Sequence, residues 1–165
     1  MIRRLVPADA PALQALRLFA LRDCPSAFSS SYEEESGMPL ATVEGWLAPD
    51  SGRIVFGAFE SALAGMVVLG RESAAKLRHK AAIRGMYVAP EHRGKGFGRQ
   101  LMAAAMASAG AMEGVRQINL IVTAGNDAAY ALYRSLGFNE YGREPGALMV
   151  NSKLYDDIYM VCHVK

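Results

Sequence analysis

Cysteine, histidine and tryptophan are scarce in this chain of 165 residues, which holds two, three and one of them. Cys24 and Cys162 stand near opposite ends without C-x-x-C spacing, so a disulfide framework or thiolate metal cluster is not expected and free thiols are. His79, His92 and His163 are equally scattered, and no metal site is expected. Charge of one sign is also lacking. The formal net charge of +2 offers no footing for a nucleic-acid polyelectrolyte. No apolar run approaches the roughly 20 residues that span a bilayer. Pro7, Asp9 and Pro11 interrupt the N-terminus before a signal-peptide core could form. The expectation is a cytoplasmic protein with neither nucleic-acid nor membrane partners.

What is present is a globular balance, 52% hydrophobic and 21% charged, in one expected domain over 1–165. Ile2–Val6 reads as a strand. Asp9 as N-cap, Pro11 in the first turn and the spacing of Leu13, Leu16, Ala20 and Leu21 predict a helix to about Asp23. Ser26–Ser36 has no clear period, and a short helix follows over Ala41–Leu47. Arg53–Glu60 and Ala64–Gly70 predict paired strands, with a polar loop over Arg71–Lys80. Ile83–Val88 is the next strand, Gln100–Met112 a helix and Gln117–Thr123 a buried strand. Asp127–Leu136 is a helix closed by Gly137. Asn139–Tyr141 and Asp157–Val164 complete the expected strands, with Gly142–Lys153 looping between them. Trp46 and the Met102/Met106 pair fit core packing better than ligand contact.

The densest signal is Arg93-Gly94-Lys95-Gly96-Phe97-Gly98, between a strand and a helix. Glycines there allow positive φ and close backbone approach. The helix start offers amides and a positive dipole end to a phosphate, and Arg93 and Lys95 would add charged hydrogen bonds. A dinucleotide fingerprint is excluded because Arg99 stands where its third glycine belongs. A Walker loop is excluded because Gly96 follows Gly94-Lys95 in place of Ser or Thr.

The remaining pattern, R-x-x-G-x-G after Met86-Tyr87-Val88-Ala89-Pro90-Glu91-His92, resembles the coenzyme A loop of the GNAT family of N-acetyltransferases. The ending Ala131-Leu132-Tyr133-Arg134-Ser135-Leu136-Gly137-Phe138 resembles that family's second cofactor motif. The resemblance spans nearly the whole chain and is strongest over 83–138. It implies an α+β fold: a mixed, mostly antiparallel sheet of six to seven strands flanked by about four helices. It implies acetyl-CoA as co-substrate, without a metal, and an amine acceptor that is a small molecule or peptide.

By the same resemblance Met86, Tyr87, Val88, Arg93, Gly94, Lys95, Gly96, Phe97, Gly98, Arg99, Asn126, Ala129 and Tyr133 bind cofactor. The strand before the loop is expected to bulge, for which Gly85 is suited, and to splay from its neighbour. The Val88 N–H would polarise the acetyl carbonyl. Tyr133, protonated at neutral pH with an ordinary pKa of ~10, would protonate the coenzyme A sulfur. Relatives often carry a Glu on the strand before the loop. Lys80–Gly85 has none, so the base is left to Glu34 or Glu35 of the acidic segment, and Arg84 could instead meet an acceptor carboxylate. A non-catalytic acyl-CoA sensor is the alternative, and a C-terminal sheet edge is compatible with a homodimer.

Overall fold

The structure is a computed structural model that describes residues 1–164. One seven-stranded sheet runs through it in the order β1-β2-β3-β4-β5-β7-β6. The strands are β1 Ile2–Arg4, β2 Arg53–Phe59, β3 Leu63–Arg71, β4 Lys80–Val88, β5 Gln117–Thr123, β6 Asn139–Val150 and β7 Lys153–His163. Every neighbouring pair is antiparallel except β4 and β5. The helices are α1 Ala10–Asp23, α2 Tyr32–Glu35, α3 Leu40–Trp46, α4 Phe97–Gly110 and α5 Asp127–Ser135. The α+β architecture expected from the sequence is what forms, with the one-turn α2 as the helix the aperiodic serine-rich segment concealed.

Each sheet face has its own core because side chains alternate across a strand. On one face Val67, Leu69, Ile118, Leu120 and Met160 pack against Leu101, Met102 and Ala105 of α4 and Tyr133 and Phe138 around α5. On the other, Val55, Met66 and Tyr87 pack against Leu13, Leu16, Ala20 and Val43 of α1 and α3. Asp9 occupies the N-cap position of α1 without capping it. Its carboxylate instead holds Arg3 through two bonds of 2.7 Å and accepts the Val6 N–H.

The C-terminal third differs from its sequence reading. Gly142–Lys153 is not a loop. β6 and β7 form one long hairpin, turned by Asn151-Ser152, both at positive φ (48° and 62°), in a two-residue primed turn. Pro145 and Gly146 masked β6, but β6 is the edge strand, where a missing N–H costs no ladder bond. The register shifts between Glu144 and Leu148, so the irregularity falls on those residues. Among the described residues no helix is long and apolar enough to cross a membrane.

Candidate active site

Two features of β4 open the sheet. β4 pairs with β5 only at Lys80, Ala81 and Ala82, and the strands separate beyond them. Against β3, Met66 faces Tyr87 while Val68 faces Arg84, so Gly85 and Met86 together oppose Val67. This is the bulge, and Gly85 at φ +58° supplies the backbone conformation that other residues resist. Past the bulge the ladder alternates. Ala89 N–H bonds Ala64 O at 2.9 Å, which puts the N–H of Val88 on the side away from β3, toward the gap.

Two cavities meet in that gap. One, of about 570 Å³, runs from Met86–Val88 along the glycine loop to Asn126, Ala129 and Tyr133. The other, of about 800 Å³, lies toward α1 and β7. Arg84, Gly85, Ile121 and Thr123 border both.

The loop leaves a row of backbone donors open at a helix start. Gly94 and Gly96 have φ of +77° and +80°, which turn the backbone into the helix start. His92 N–H and Arg93 N–H bond the carbonyls of Ala89 and Pro90, and Gln100 N–H reaches Gly96 O. Between them the amides of Gly94, Lys95, Gly96, Phe97, Gly98 and Arg99 have no acceptor among the described residues. Unsatisfied donors at the positive end of a 14-residue helix fit a pyrophosphate. Gly98 serves a different purpose: a Cβ there would lie 3.2 Å from Met86 Cε and 3.4 Å from Leu132, so its absence lets α4 close on β4 and α5.

The loop's cationic side chains are occupied elsewhere. Arg93 Nη2 is 2.7 Å from Asp23 Oδ2 and its Nε donates to Val88 O at 2.9 Å. Lys95 Nζ bridges both oxygens of Glu60 at 3.1 and 3.0 Å. Arg99 Nη2 donates to Ser135 Oγ at 2.7 Å. In this arrangement the donors the loop leaves open are its backbone amides, whereas the sequence expectation had added Arg93 and Lys95.

Asn126 caps α5, its Oδ1 accepting the Ala129 N–H at 3.3 Å. Tyr133 is buried between α5 and the gap, stacked edge-on against Phe138, and its hydroxyl has no hydrogen-bond partner among the described residues. Burial pushes its phenol up to about 12. Tyr87, read from the sequence as a cofactor contact, faces the α1 side and donates to Asp23 at 2.8 Å. Burial, and then the adjacent Asp23, raise its phenol.

The acidic segment divides. The Glu34 carboxylate accepts the Ser31 N–H at 2.7 Å in a capping box that starts α2, and it borders neither cavity. Glu35 borders the larger cavity, gripped by Arg17 through bonds of 3.0 and 2.8 Å. Burial would raise its carboxyl, and Arg17 more than offsets that, leaving it below the ordinary range. Trp46, expected in the core, is half-buried in the wall of the same cavity with Arg53 over its ring. Asp157 in that wall escaped sequence reasoning altogether, because the loop assigned before it hid its register.

A family model described as the acetyltransferase (GNAT) family matches residues 14–138. The solved ribosomal-protein-alanine N-acetyltransferase of Brucella melitensis superposes with a TM-score of 0.86 at 27% identity, over 99% of each chain. A GNAT-family acetyltransferase from Streptococcus pneumoniae reaches 0.87 at 24% identity, again over 99% of both. YncA, a putative acetyltransferase from Salmonella typhimurium solved with its cofactor acetyl-CoA, reaches 0.82 at 23% identity, over 100% of this chain and 94% of that one. The latter two likenesses bear on the fold. No curated protein matches the chain.

Proposed function

The chain belongs to the acetyltransferase (GNAT) family, matched over residues 14–138, and from that premise we propose that it moves an acetyl group from acetyl-CoA directly to a primary amine. The observation that carries this is the row of unaccepted amides from Gly94 to Arg99, beside a cavity shared by the Val88 N–H and Tyr133. Bound acetyl-CoA supplies the activated thioester. The amides of 94–99 hold its pyrophosphate, and the unpaired edge of Met86–Val88 aligns its arm as an added strand would be aligned.

The Val88 N–H then donates to the acetyl carbonyl, a preorganised contact typically worth ~3 kcal/mol as negative charge develops there. Tyr133 gives its proton to the departing sulfur. A phenol held near 12 stays protonated throughout the neutral range. The second cavity admits the acceptor from the opposite side of the gap, so amine and thioester meet without an acyl-enzyme. Cys24 borders the cofactor cavity, but burial and then Asp23 raise its thiol, which disfavours the thiolate such an intermediate needs. A small amine or a peptide N-terminus is the acceptor class.

Free-thiol release from acetyl-CoA against a library of amines tests the proposal. Amine-dependent release supports it. Coenzyme A binding without release on any amine would instead indicate an acyl-CoA sensor.

A further inference from the structure

Three carboxylates border the larger cavity: Glu35, Glu72 and Asp157. Glu35 is bidentate to Arg17, and Glu72 lies 3.5 Å from Arg84. Asp157 alone has no cation within ion-pair distance among the described residues. It pairs across β7 with Thr123, the last residue of β5, so the two side chains share the face toward α1. Thr123 borders both cavities, at the end of β5 that splays away from the end of β4 holding Val88. Asp157 is therefore one strand beyond the place where the cavities join.

The charged groups around it are engaged with one another rather than with it. From β6, Glu144 stands directly opposite Asp157, its carboxylate accepting the hydroxyl of Tyr159, and the Tyr141 ring lies tilted against Tyr159 with centroids 6.0 Å apart. From β5, the Thr123 hydroxyl donates to Ser26 O at 2.7 Å and lies beside the Asp157 carboxylate, a neutral neighbour that leaves its charge uncompensated. From α1 and α2, Arg17 and Glu35 neutralise each other. From β3 and β4, Arg84 turns to Glu72, while Arg71 donates to Arg78 O.

We propose that Asp157 receives the acceptor's ammonium and takes one of its protons, which frees the nitrogen lone pair for attack, a role that rests on the acetyl-transfer reading above. That proton passes to the Asp157 carboxylate directly or through one water, the lone pair forms the N–C bond, and the C–S bond breaks as the Tyr133 proton goes to sulfur. The second proton that the nitrogen sheds as the neutral amide forms returns to the Tyr133 phenolate through solvent. Burial, and next the facing Glu144, hold the Asp157 carboxyl above its ordinary value, the direction that makes it a better base.

The experiment compares wild type, Asp157→Asn and Asp157→Glu, each confirmed as folded by its melting curve. kcat/KM is measured from pH 5 to 11 with the best amine of the library, and coenzyme A affinity by calorimetry. A wild type that uses the carboxylate with the ammonium form gives a bell. The rate rises as Asp157 ionises and falls as the free amine loses its proton. Asp157→Asn is expected to lose on the order of 10²-fold at neutral pH. It should also lose the bell and rise steadily toward the amine's own pKa, with coenzyme A affinity unchanged. Asp157→Glu should restore the bell in part. An Asp157→Asn enzyme with wild-type rate and bell overturns the proposal while leaving acetyl transfer standing. A wild type that binds no coenzyme A, or releases no thiol with any amine, overturns both, and is recognised without either variant.

Discussion

Arg93 Nη2 and Asp23 Oδ2 lie 2.7 Å apart, joining the last residue of α1 to the first residue of the glycine loop. Asp23 also accepts the Tyr87 hydroxyl at 2.8 Å, and Arg93 Nε holds Val88 O at 2.9 Å. One guanidinium thus ties the acceptor-side helix, the bulged strand and the loop together. Asp23→Asn and Arg93→Gln are each expected to weaken coenzyme A binding through loop position. In a double-mutant cycle their effects should fall short of additive by on the order of 1 kcal/mol. Calorimetry on the four proteins measures this, and strict additivity would contradict it.

The same carboxylate makes a pH prediction. Hydrogen bonds from Tyr87, then Arg93, hold Asp23 below the ordinary carboxylate range. The stability it contributes is present above the unfolded value of ~3.9 and is lost as pH falls through the folded value. Wild type should therefore exceed Asp23→Asn in urea midpoint at pH 7, and the gap should close as pH falls below the ordinary carboxylate range. A gap of constant size would show that the charge is not what matters.

Replacing Tyr133 with Phe removes only the acid. Turnover is expected to fall on the order of 10²-fold with coenzyme A affinity within about twofold of wild type. Equal losses of binding and turnover would reassign Tyr133 to packing against Phe138.

Gly96→Val should act in the opposite way. At φ +80° a side chain is strained whatever the space, and the amides it displaces are those left for phosphate. Coenzyme A affinity is expected to drop at least ~10-fold, about 1.4 kcal/mol. Normal affinity would remove the loop from the cofactor site.

Gly85→Val tests the bulge. The left-handed conformation at φ +58° costs a side chain roughly 1–2 kcal/mol. The melting temperature should fall by roughly 2–8 °C, and coenzyme A binding should weaken as Val88 loses its aim. An unchanged melting curve would show that the bulge tolerates a side chain.

Local chemistry was legible in the sequence because it depends on neighbours a few residues apart. The loop glycines, the Asn126 cap, the Gly137 stop and the bulge-forming Gly85 could be read from residue type and position. Helix periodicity located α1, α4 and α5 because each buries one face. The β6–β7 hairpin was not legible, since edge strands tolerate the Pro145-Gly146 interruption that reads as a loop and Asn151-Ser152 is a rarer turn pair than Asn-Gly. What tertiary structure decided was the partner of each charge. Arg93 and Lys95 sit in the loop by sequence, yet Asp23 and Glu60, 70 and 35 residues away, claim them. Glu34 and Glu35 are adjacent, yet one caps a helix and the other pairs with Arg17. Sequence determines where a charge can form and how the backbone turns beside it. Only the fold, by bringing distant strands and helices together, determines which charges are neutralised and which, like Asp157, are left facing a cavity.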